Sequence, residues 1–180
     1  MNVPKFEDFF ENPMNSMKKK DYFLEEISSK IYIDENVEIK NPVLIEGPVY
    51  IGPNCKIGPF SYIRPGTYLE GGNHVGCSEV KNSLILEDTN LPHFNYVGDS
   101  IIGKNCNFGA GSKVANLRLD EKDIKFRKEH TGNRKLGVLI GDNVKIGINV
   151  SFYPGEIIDP NSFVYNDLET GKRIIRRLKE

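Results

Sequence analysis

The stretch LPHFNYVGDS, residues 91–100, concentrates side chains that can do chemistry. His93 and Tyr96 lie three residues apart within it, and an aspartate follows. An imidazole titrates near neutral pH, so His93 is a candidate general base that accepts a proton from an attacking group. A structural histidine is the ordinary alternative, and His74, which stands next to Val75, is a competing candidate.

Cationic and amide side chains lie on both sides of this stretch. Arg64 opens the tripeptide RPG, and Lys81 stands in EVKNS. Arginine holds phosphate oxygens in a bidentate manner and lysine acts as a mobile point charge, so both residue types suit a phosphorylated substrate. Each residue taken singly also has an ordinary explanation as a solvated corner or surface side chain. The other candidates of this kind are Asn107, Asn116, Lys122 and Lys125.

The elements that must position these residues follow from a repeat. Aliphatic residues recur every six positions from Ile33 to Val75, often followed by glycine or asparagine, and small apolar residues such as Cys55 fill the fifth place of the hexads. This is the hexapeptide pattern of a parallel β-helix, in which each hexad supplies one strand and a turn, and three hexads make one coil. A helical period of 3.6 residues does not fit these positions. Resemblance to hexapeptide-repeat proteins implies left-handed winding, so the expected fold class is an all-β, left-handed parallel β-helix.

The repeat is interrupted twice. We expect the slip at residues 91–100 to let His93 and Tyr96 project into a groove. The pattern resumes at Ile102 and again at Ile140. The irregular, charged segment 117–138 lies between these two runs, and its turn-like residues 131–133 predict a hairpin-like arm that leaves the coil. Departures from a regular local pattern tend to mark functional sites, and the candidate residues collect around these two interruptions.

The β-helix is expected over residues 31–166, and the flanking regions have other patterns. Residues 1–30 carry aromatic and aliphatic side chains at helical spacing, which predicts short helices that cap the first coil and cover its strand edges. Residues 167–180 are basic and amphipathic, which predicts a short helix or an extended arm.

Composition excludes several classes of protein. The 180 residues carry a net charge of −1, which gives no footprint for nucleic acid or an anionic membrane. No apolar run of about 18 residues predicts a membrane span, and no signal peptide is recognisable, so we expect a cytoplasmic protein. The three cysteines and three histidines have no metal-ligand spacing, so we expect reduced thiols and no metal.

Several segments together resemble one family, namely IRPGTYLEGGNHVG, EVKNS, LPHFNYVGDSIIG, NCNFGAGSKVAN and RKLGVLIGDNVKIGINVSFYPG. They look like the C-terminal acetyltransferase domain of the bifunctional glucosamine-1-phosphate N-acetyltransferase/UDP-N-acetylglucosamine pyrophosphorylases. The similarity runs from Ile33 to Val164. After Asn116 the bacterial form continues with tyrosine, aspartate and glycine, whereas this chain reads LRLDEK. That variant is more similar to the archaeal-type sugar-1-phosphate nucleotidyltransferases with an amino-sugar-1-phosphate acetyltransferase domain, and it leaves the amino sugar open.

The resemblance implies an acetyl-CoA-dependent N-acetyltransferase that acts on glucosamine-1-phosphate or galactosamine-1-phosphate. It implies that His93 is the general base. It further implies that the sugar phosphate is held by Arg64, Lys81 and Tyr96, that the amino-sugar pocket is lined by Asn107 and Asn116, and that the arm contributes Lys122 and Lys125. Acetyl-CoA is expected along the outer groove of the later coils, with Gly141, Gly147, Ile148, Asn149 and the tail residue Arg173 as candidate contacts.

The resemblance also implies a homotrimer with active sites between subunits. The nucleotidyltransferase domain of the family has no counterpart in these residues, so neither uridylyl transfer nor its magnesium is expected, and a separate nucleotidyltransferase is an expected partner. Two alternatives stay open. One is a hexapeptide acyltransferase for another amino sugar, including a nucleotide-linked one, which would need room and stacking for a base. The other is a non-catalytic trimeric scaffold or sensor.

Overall fold

The computed structural model describes residues 30–126 and 129–177, where every regular element is a β-strand. Three parallel sheets, called A, B and C, contain most of these strands. Sheet A contains β1 (Ile31–Ile33), β4 (Val49–Ile51), β7 (Thr67–Leu69), β10 (Leu84–Ile85), β13 (Ile101–Ile102), β18 (Val138–Ile140) and β21 (Glu156–Ile158). Sheet B contains β2 (Glu38–Ile39), β5 (Lys56–Ile57), β8 (His74–Val75), β11 (Asn90–Leu91), β14 (Asn107–Phe108), β19 (Lys145–Ile146) and β22 (Ser162–Asn166), and its last strand is β23 (Arg173–Arg177). Sheet C contains β3 (Leu44–Ile45), β6 (Tyr62–Ile63), β9 (Glu79–Lys81), β12 (Tyr96–Gly98), β15 (Lys113–Val114) and β20 (Ser151–Phe152).

Successive strands belong to sheets A, B and C in turn, so three strands make one triangular coil. β4 pairs in parallel with β1 and with β7, and β8 pairs in the same way with β5 and β11. We number the coils from the N-terminal end. Within the described ranges there are seven, and the seventh consists of β21 and β22. The predicted all-β parallel β-helix of hexapeptide repeats is therefore confirmed.

The aliphatic residue of each hexad points to the axis of the prism, where the equivalents in successive coils stack. Ile57, Ile63 and Leu69 are fully buried, and the rings of Phe108 and Phe152 lie with their centroids 6.3 Å apart. At the N-terminal end of the described stack, the equivalent Ile33 is 48% exposed. Burial of this apolar surface is the main term that stabilises the prism.

Two of the three thiols lie inside the corner between sheets A and B. Cys55 and Cys106 fill the fifth place of their hexads there and are fully buried. Burial raises the pKa of each thiol to about 11, because a thiolate would lose its solvation. They pack as small core residues.

The segment between coils 5 and 6 forms an antiparallel hairpin of β16 (Lys125–Phe126) and β17 (Glu129–His130). The turn-like residues 131–133 follow the second strand. The segment also folds back on the prism instead of leaving it. Its buried side chains join the outer face of sheet A in a second hydrophobic cluster, which contains Ile124, Phe126, Leu136, Tyr68, Leu84, Leu86, Ile101 and Leu139.

The tail is extended, so the first of the two expectations for it, a short helix, is wrong for the described part. β23 pairs antiparallel with β22 and covers the last edge of sheet B. Arg173 anchors it, because its guanidinium binds both oxygens of Glu156 and donates to the carbonyl of Ser151 at 2.7 Å.

The predicted N-terminal cap lies outside the described residues except for Lys30. The described part of the chain has no helix that could span a membrane.

Candidate active site

A polar network occupies the corner between sheets C and A in coils 3 to 5. Its centre is the carboxylate of Asp99, which is 4% exposed. This carboxylate accepts hydrogen bonds from Asn82 Nδ2 at 2.7 Å and from Asn116 Nδ2, and Lys81 Nζ lies 3.3 Å away. These contacts are required because a buried carboxylate loses its hydration and must be compensated by hydrogen-bond donors and cations. Asp99 thus joins Lys81 of coil 3 to Asn116, the residue from which the hairpin segment departs.

Short corners bring these residues together. Val80 and Ile85 are consecutive core residues five positions apart instead of six, and so are Val97 and Ile102. At each shortened corner one residue has left-handed backbone angles, Asn82 with φ 45° and Asp99 with φ 54°. Asparagine and aspartate tolerate this region better than other side chains.

The slip predicted within residues 91–100 is present, but the missing residue falls after Val97 and not around His93. Leu91 and Val97 are both fully buried and keep the six-residue spacing from Ile85. His93 and Tyr96 project from an ordinary hexad, so the expectation that the slip exposes them is wrong. The side chain that the short corner re-aims is that of Asp99.

Arg64 lies one coil below this network and forms an ion pair with Glu79. Its Nη1 donates to Glu79 Oε1 at 2.8 Å, and the guanidinium lies 5.4 Å from the centre of the Tyr62 ring. The Nε atom of Arg64 is buried and has no hydrogen-bond partner among the described residues. The two cations of the corner, Arg64 and Lys81, are thus each balanced by a carboxylate.

Tyr96 stands directly above Glu79 in the register of sheet C. Its hydroxyl accepts a hydrogen bond from Asn116 Nδ2 at 3.2 Å, and burial raises the pKa of the phenol. A Cβ on Gly98 would lie 2.6 Å from this hydroxyl and 2.9 Å from Asn116 Nδ2. Glycine at position 98 therefore leaves room for the contact between Tyr96 and Asn116.

His93 is exposed and occupies the next corner of the prism, between sheets B and C in coil 4. Its amide donates to Asn95 Oδ1 at 3.2 Å, and its carbonyl accepts from the amide of Gly111 at 3.0 Å. These bonds fix its backbone. Within residues 30–126 and 129–177, no hydrogen bond or ion pair engages the imidazole, which can therefore accept a proton from a bound group.

The remaining substrate candidates are not joined to the network. Asn107 is exposed on sheet B, in register with Asn90. Lys122 and Lys125 are exposed on the hairpin segment, and no hydrogen bond or ion pair in the described part of the chain links them to Asp99 or His93. The backbone of Lys125 instead approaches Gly155 in coil 7.

The candidate contacts for acetyl-CoA divide into three groups. Gly147, Ile148 and Asn149 continue the corner of His93 two coils further on, since the amide of Asn149 bonds the carbonyl of Ala110 at 2.8 Å. Gly141 lies at a different corner, the one between sheets A and B, where it packs against Pro160. Arg173 belongs to the anchor of β23, where Glu156 already holds its charge.

Sequence reasoning missed the roles of Asp99, Asn82 and Glu79. A signal was present, because equivalent positions in adjacent full coils are 18 residues apart and each shortened corner reduces this separation by one. The separation of 17 residues between Asn82 and Asp99, and between Asp99 and Asn116, places all three at one corner. The described residues contain no group of histidine, cysteine and acidic side chains that could hold a metal ion.

Known proteins similar to this chain include bifunctional proteins from archaea. The bifunctional protein GlmU of Methanococcus maripaludis strain C7 is 48% identical over 109 residues, which cover 56% of this chain and 26% of that protein. A bifunctional sugar-1-phosphate nucleotidylyltransferase/acetyltransferase of Sulfurisphaera tokodaii is 48% identical over 144 residues, which cover 77% of this chain and 36% of that protein. This chain thus spans about a quarter to a third of the relatives it matches.

Among solved structures, the acetyltransferase domain of PglB from Neisseria gonorrhoeae is 12% identical with a TM-score of 0.45, over 90% of this chain and 66% of that chain. The family model described as the GMPPB C-terminal domain matches residues 39–174. Because this match covers nearly all of the β-helix, the chain belongs to the GMPPB C-terminal domain family.

Proposed function

We propose that this chain transfers the acetyl group of acetyl-CoA to the amine of a hexosamine-1-phosphate, either glucosamine-1-phosphate or galactosamine-1-phosphate. The observation that carries the proposal is the corner where Arg64, Lys81, Tyr96 and Asn116 come together, one corner of the prism away from the exposed imidazole of His93. The name of the Sulfurisphaera tokodaii relative, which combines sugar-1-phosphate nucleotidyl transfer with acetyl transfer, supports the same class of reaction.

The chemistry requires a neutral amine and a proton acceptor. The sugar nitrogen attacks the thioester carbon, so a C–N bond forms while the C–S bond breaks. The amine loses its proton to the imidazole of His93, and the imidazolium returns this proton to the departing thiolate. One imidazole can serve both steps, because its neutral form accepts a proton and its protonated form donates one.

The sugar phosphate would bind to Arg64 and Lys81. Because Glu79 and Asp99 already balance these two charges, the network holds the cations in place before the substrate arrives. The phosphate would have to compete with Glu79, the more exposed of the two carboxylates, whereas Asp99 remains buried. Tyr96 and Asn116 would contact the sugar beside the phosphate.

Acetyl-CoA would lie along the corner that carries His93. Gly109 and Gly147 pack closely in successive coils at this corner, and Ile148 is 65% exposed beyond them. An apolar strip beside a glycine floor suits the pantetheine arm of the co-substrate. Asn149 and Gly141 remain candidate contacts, and Arg173 would first have to release Glu156. No metal takes part in the proposed reaction.

The assembly would be a homotrimer, with sites shared between neighbouring chains. In that arrangement the site of a neighbouring copy would be served by Lys122, Lys125 and Asn107. Within the described residues, these three are not joined to the network of their own chain. The protein would act in the cytoplasm in amino-sugar nucleotide synthesis, beside a separate nucleotidyltransferase that consumes the acetylated sugar phosphate.

The experiment that tests this function is the release of free thiol from acetyl-CoA, with glucosamine-1-phosphate and galactosamine-1-phosphate offered separately. We expect release that depends on one of the sugars and falls about 100- to 10,000-fold in His93→Ala. His74→Ala is the matched control, because it removes the other imidazole of the prism and should retain most of the rate. Equal rates in the wild type and His93→Ala, or no release from either sugar, would contradict the proposal.

A further inference from the structure

A second cationic site lies outside the network described above, on the outer face of sheet B in coils 1 to 3. It is a shallow pocket with a volume of about 260 Å³. The residues that line it are Glu38, Lys40, Lys56, Ile57, Gly58 and His74. Of the residues that line it, the sequence analysis singled out only His74, as a competing candidate for the general base.

The register of sheet B explains why these side chains meet. Glu38 pairs with Lys56, and Lys56 pairs with His74, so the three occupy one ladder across three coils. Adjacent strands are about 4.8 Å apart, which places side chains of one ladder in contact range. Lys40 lies two residues after Glu38 and therefore points to the same face, and Gly58 leaves the floor of the pocket open.

The charges of this pocket are unbalanced. Lys40 and Glu38 form an exposed ion pair at 3.2 Å. Lys56 has no ion pair or hydrogen bond with any side chain in the described ranges, and neither has the imidazole of His74. By contrast, each cation of the Asp99 corner has its own carboxylate. A site with surplus positive charge and free donors suits an anion.

The surroundings of His74 fit the same conclusion. Burial lowers the pKa of the imidazole, and the positive charges of His93, Lys56 and Lys40 lower it further, while Glu38 acts in the opposite direction. Its other neighbour in the ladder, Asn90, is uncharged. His74 Nε2 lies 3.4 Å from where a Cβ of Gly76 would stand, so the ring leans towards the corner of His93. A bound anion would relieve this repulsion and let the ring accept a proton.

We propose that this pocket binds the phosphate group of a phosphorylated small molecule, with the Lys56 ammonium and the His74 imidazole as its principal donors. Lys40 adds charge at the rim, and Glu38 limits the affinity because it repels the phosphate. The proposal concerns a different face from the Arg64 and Lys81 site, and it does not depend on acetyl transfer.

The test is a nuclear magnetic resonance titration of the histidine ring signals at constant ionic strength. The chain has three histidines, so the signal of His74 can be assigned with the His74→Gln variant. Inorganic phosphate is the probe, and chloride at equal ionic strength is the reference. We expect phosphate to raise the pKa of His74 by about one unit, which corresponds to about tenfold tighter binding by the imidazolium form.

Three substitutions on one ladder make the test specific. Lys56→Gln should weaken phosphate binding about tenfold, because it removes a charge-assisted donor. Glu38→Gln should strengthen binding severalfold. Lys145→Gln is the matched control, since Lys145 lies on the same ladder four coils from Lys56 and already donates to the carbonyl of Asn105 at 2.8 Å. All three residues lie at the surface, so the variants should fold.

Parallel titrations with glucosamine-1-phosphate and with CoA identify the source of the phosphate group. A shift of His74 with either compound supports the site and names the occupant. The proposal is overturned if none of the three probes moves the His74 signal in the wild-type protein, if chloride moves it equally, or if Lys145→Gln weakens binding as much as Lys56→Gln.

Discussion

Asp99 is the residue on which the candidate site depends most. Its buried carboxylate holds Lys81 and Asn82 at the end of coil 3 and Asn116 at the start of the hairpin segment. The sugar phosphate itself would meet Lys81, so Asp99 is a positioning residue that acts through the lysine and the amides. It fixes where the cation stands before a substrate binds.

We expect Asp99→Asn to lower the free energy of unfolding by about 1–3 kcal/mol, because it removes a charged acceptor from a network that is largely desolvated. It should also raise the KM for the sugar phosphate, as Lys81 loses its fixed position. Urea denaturation and steady-state kinetics measure the two effects. Glu121→Gln is the control, since its exposed ion pair with Arg134 should contribute less than about 1 kcal/mol. Unchanged KM in Asp99→Asn would contradict the positioning role.

For removal of the Glu79 charge we predict the opposite effect on the KM for the sugar phosphate. Under the proposed function its carboxylate would compete with the phosphate for Arg64 and repel it, and both side chains are about one third exposed. Glu79→Gln keeps an oxygen for the guanidinium and removes only the charge, so we expect the KM for the sugar phosphate to fall about fivefold, equivalent to about 1 kcal/mol. Comparison of KM at low and high salt checks the electrostatic cause, because screening should shrink the difference. A higher KM in this variant would indicate that Glu79 orients Arg64 instead of opposing the substrate.

Sequence alone could identify the type of these residues but not their partners. Lys81 and Asn116 are 35 residues apart, and only the shortened corners bring both to one carboxylate. A residue missing from a corner shifts the alignment of side chains between neighbouring coils. The direction of this shift depends on which hexad is one residue short. The hexads around His93 look irregular in composition, yet Leu91 and Val97 keep their spacing and their burial.

At the scale of the elements, the rungs were predictable because one physical requirement repeats in every hexad. Each strand must direct an aliphatic group to the axis, so Ile57 and Ile146 are visible as core residues without any knowledge of the rest. The hairpin segment has no such repeat. Its charged residues suggested an arm in solvent, whereas its few apolar side chains, such as Ile124 and Phe126, decide that it packs on sheet A.

This packing gives a prediction for the hairpin segment. Phe126 is 3% exposed against the outer face of sheet A, so Phe126→Ala should lower the free energy of unfolding by about 3–5 kcal/mol if the segment unfolds together with the prism. Leu119→Ala is the matched control, because Leu119 is fully exposed and its truncation should have little effect. Urea denaturation of both variants checks this. A Phe126→Ala protein with unchanged stability would show that the segment opens separately from the coils.

At the scale of the whole molecule, the prism carries separate polar sites at different corners and faces. The Asp99 network lies at the corner of sheets C and A, His93 at the corner of sheets B and C, and the Lys56 pocket on sheet B. The hairpin lysines Lys122 and Lys125 are joined to none of them. A site that needs all these groups is completed only if a second copy of the chain supplies some of them.

Mixing of two defective variants tests this arrangement directly. His93→Ala lacks the base, and the double variant Lys122→Ala/Lys125→Ala lacks the hairpin cations, so each alone should release little thiol. If every site takes its imidazole and its lysines from different chains, random mixing in equal amounts restores both groups in about one quarter of the sites. Co-expression with two affinity tags isolates the mixed assemblies, and light scattering measures their mass, for which we expect three chains. Mixed assemblies without activity would mean that each chain supplies a complete site, and the hairpin lysines would then act on the face of their own prism.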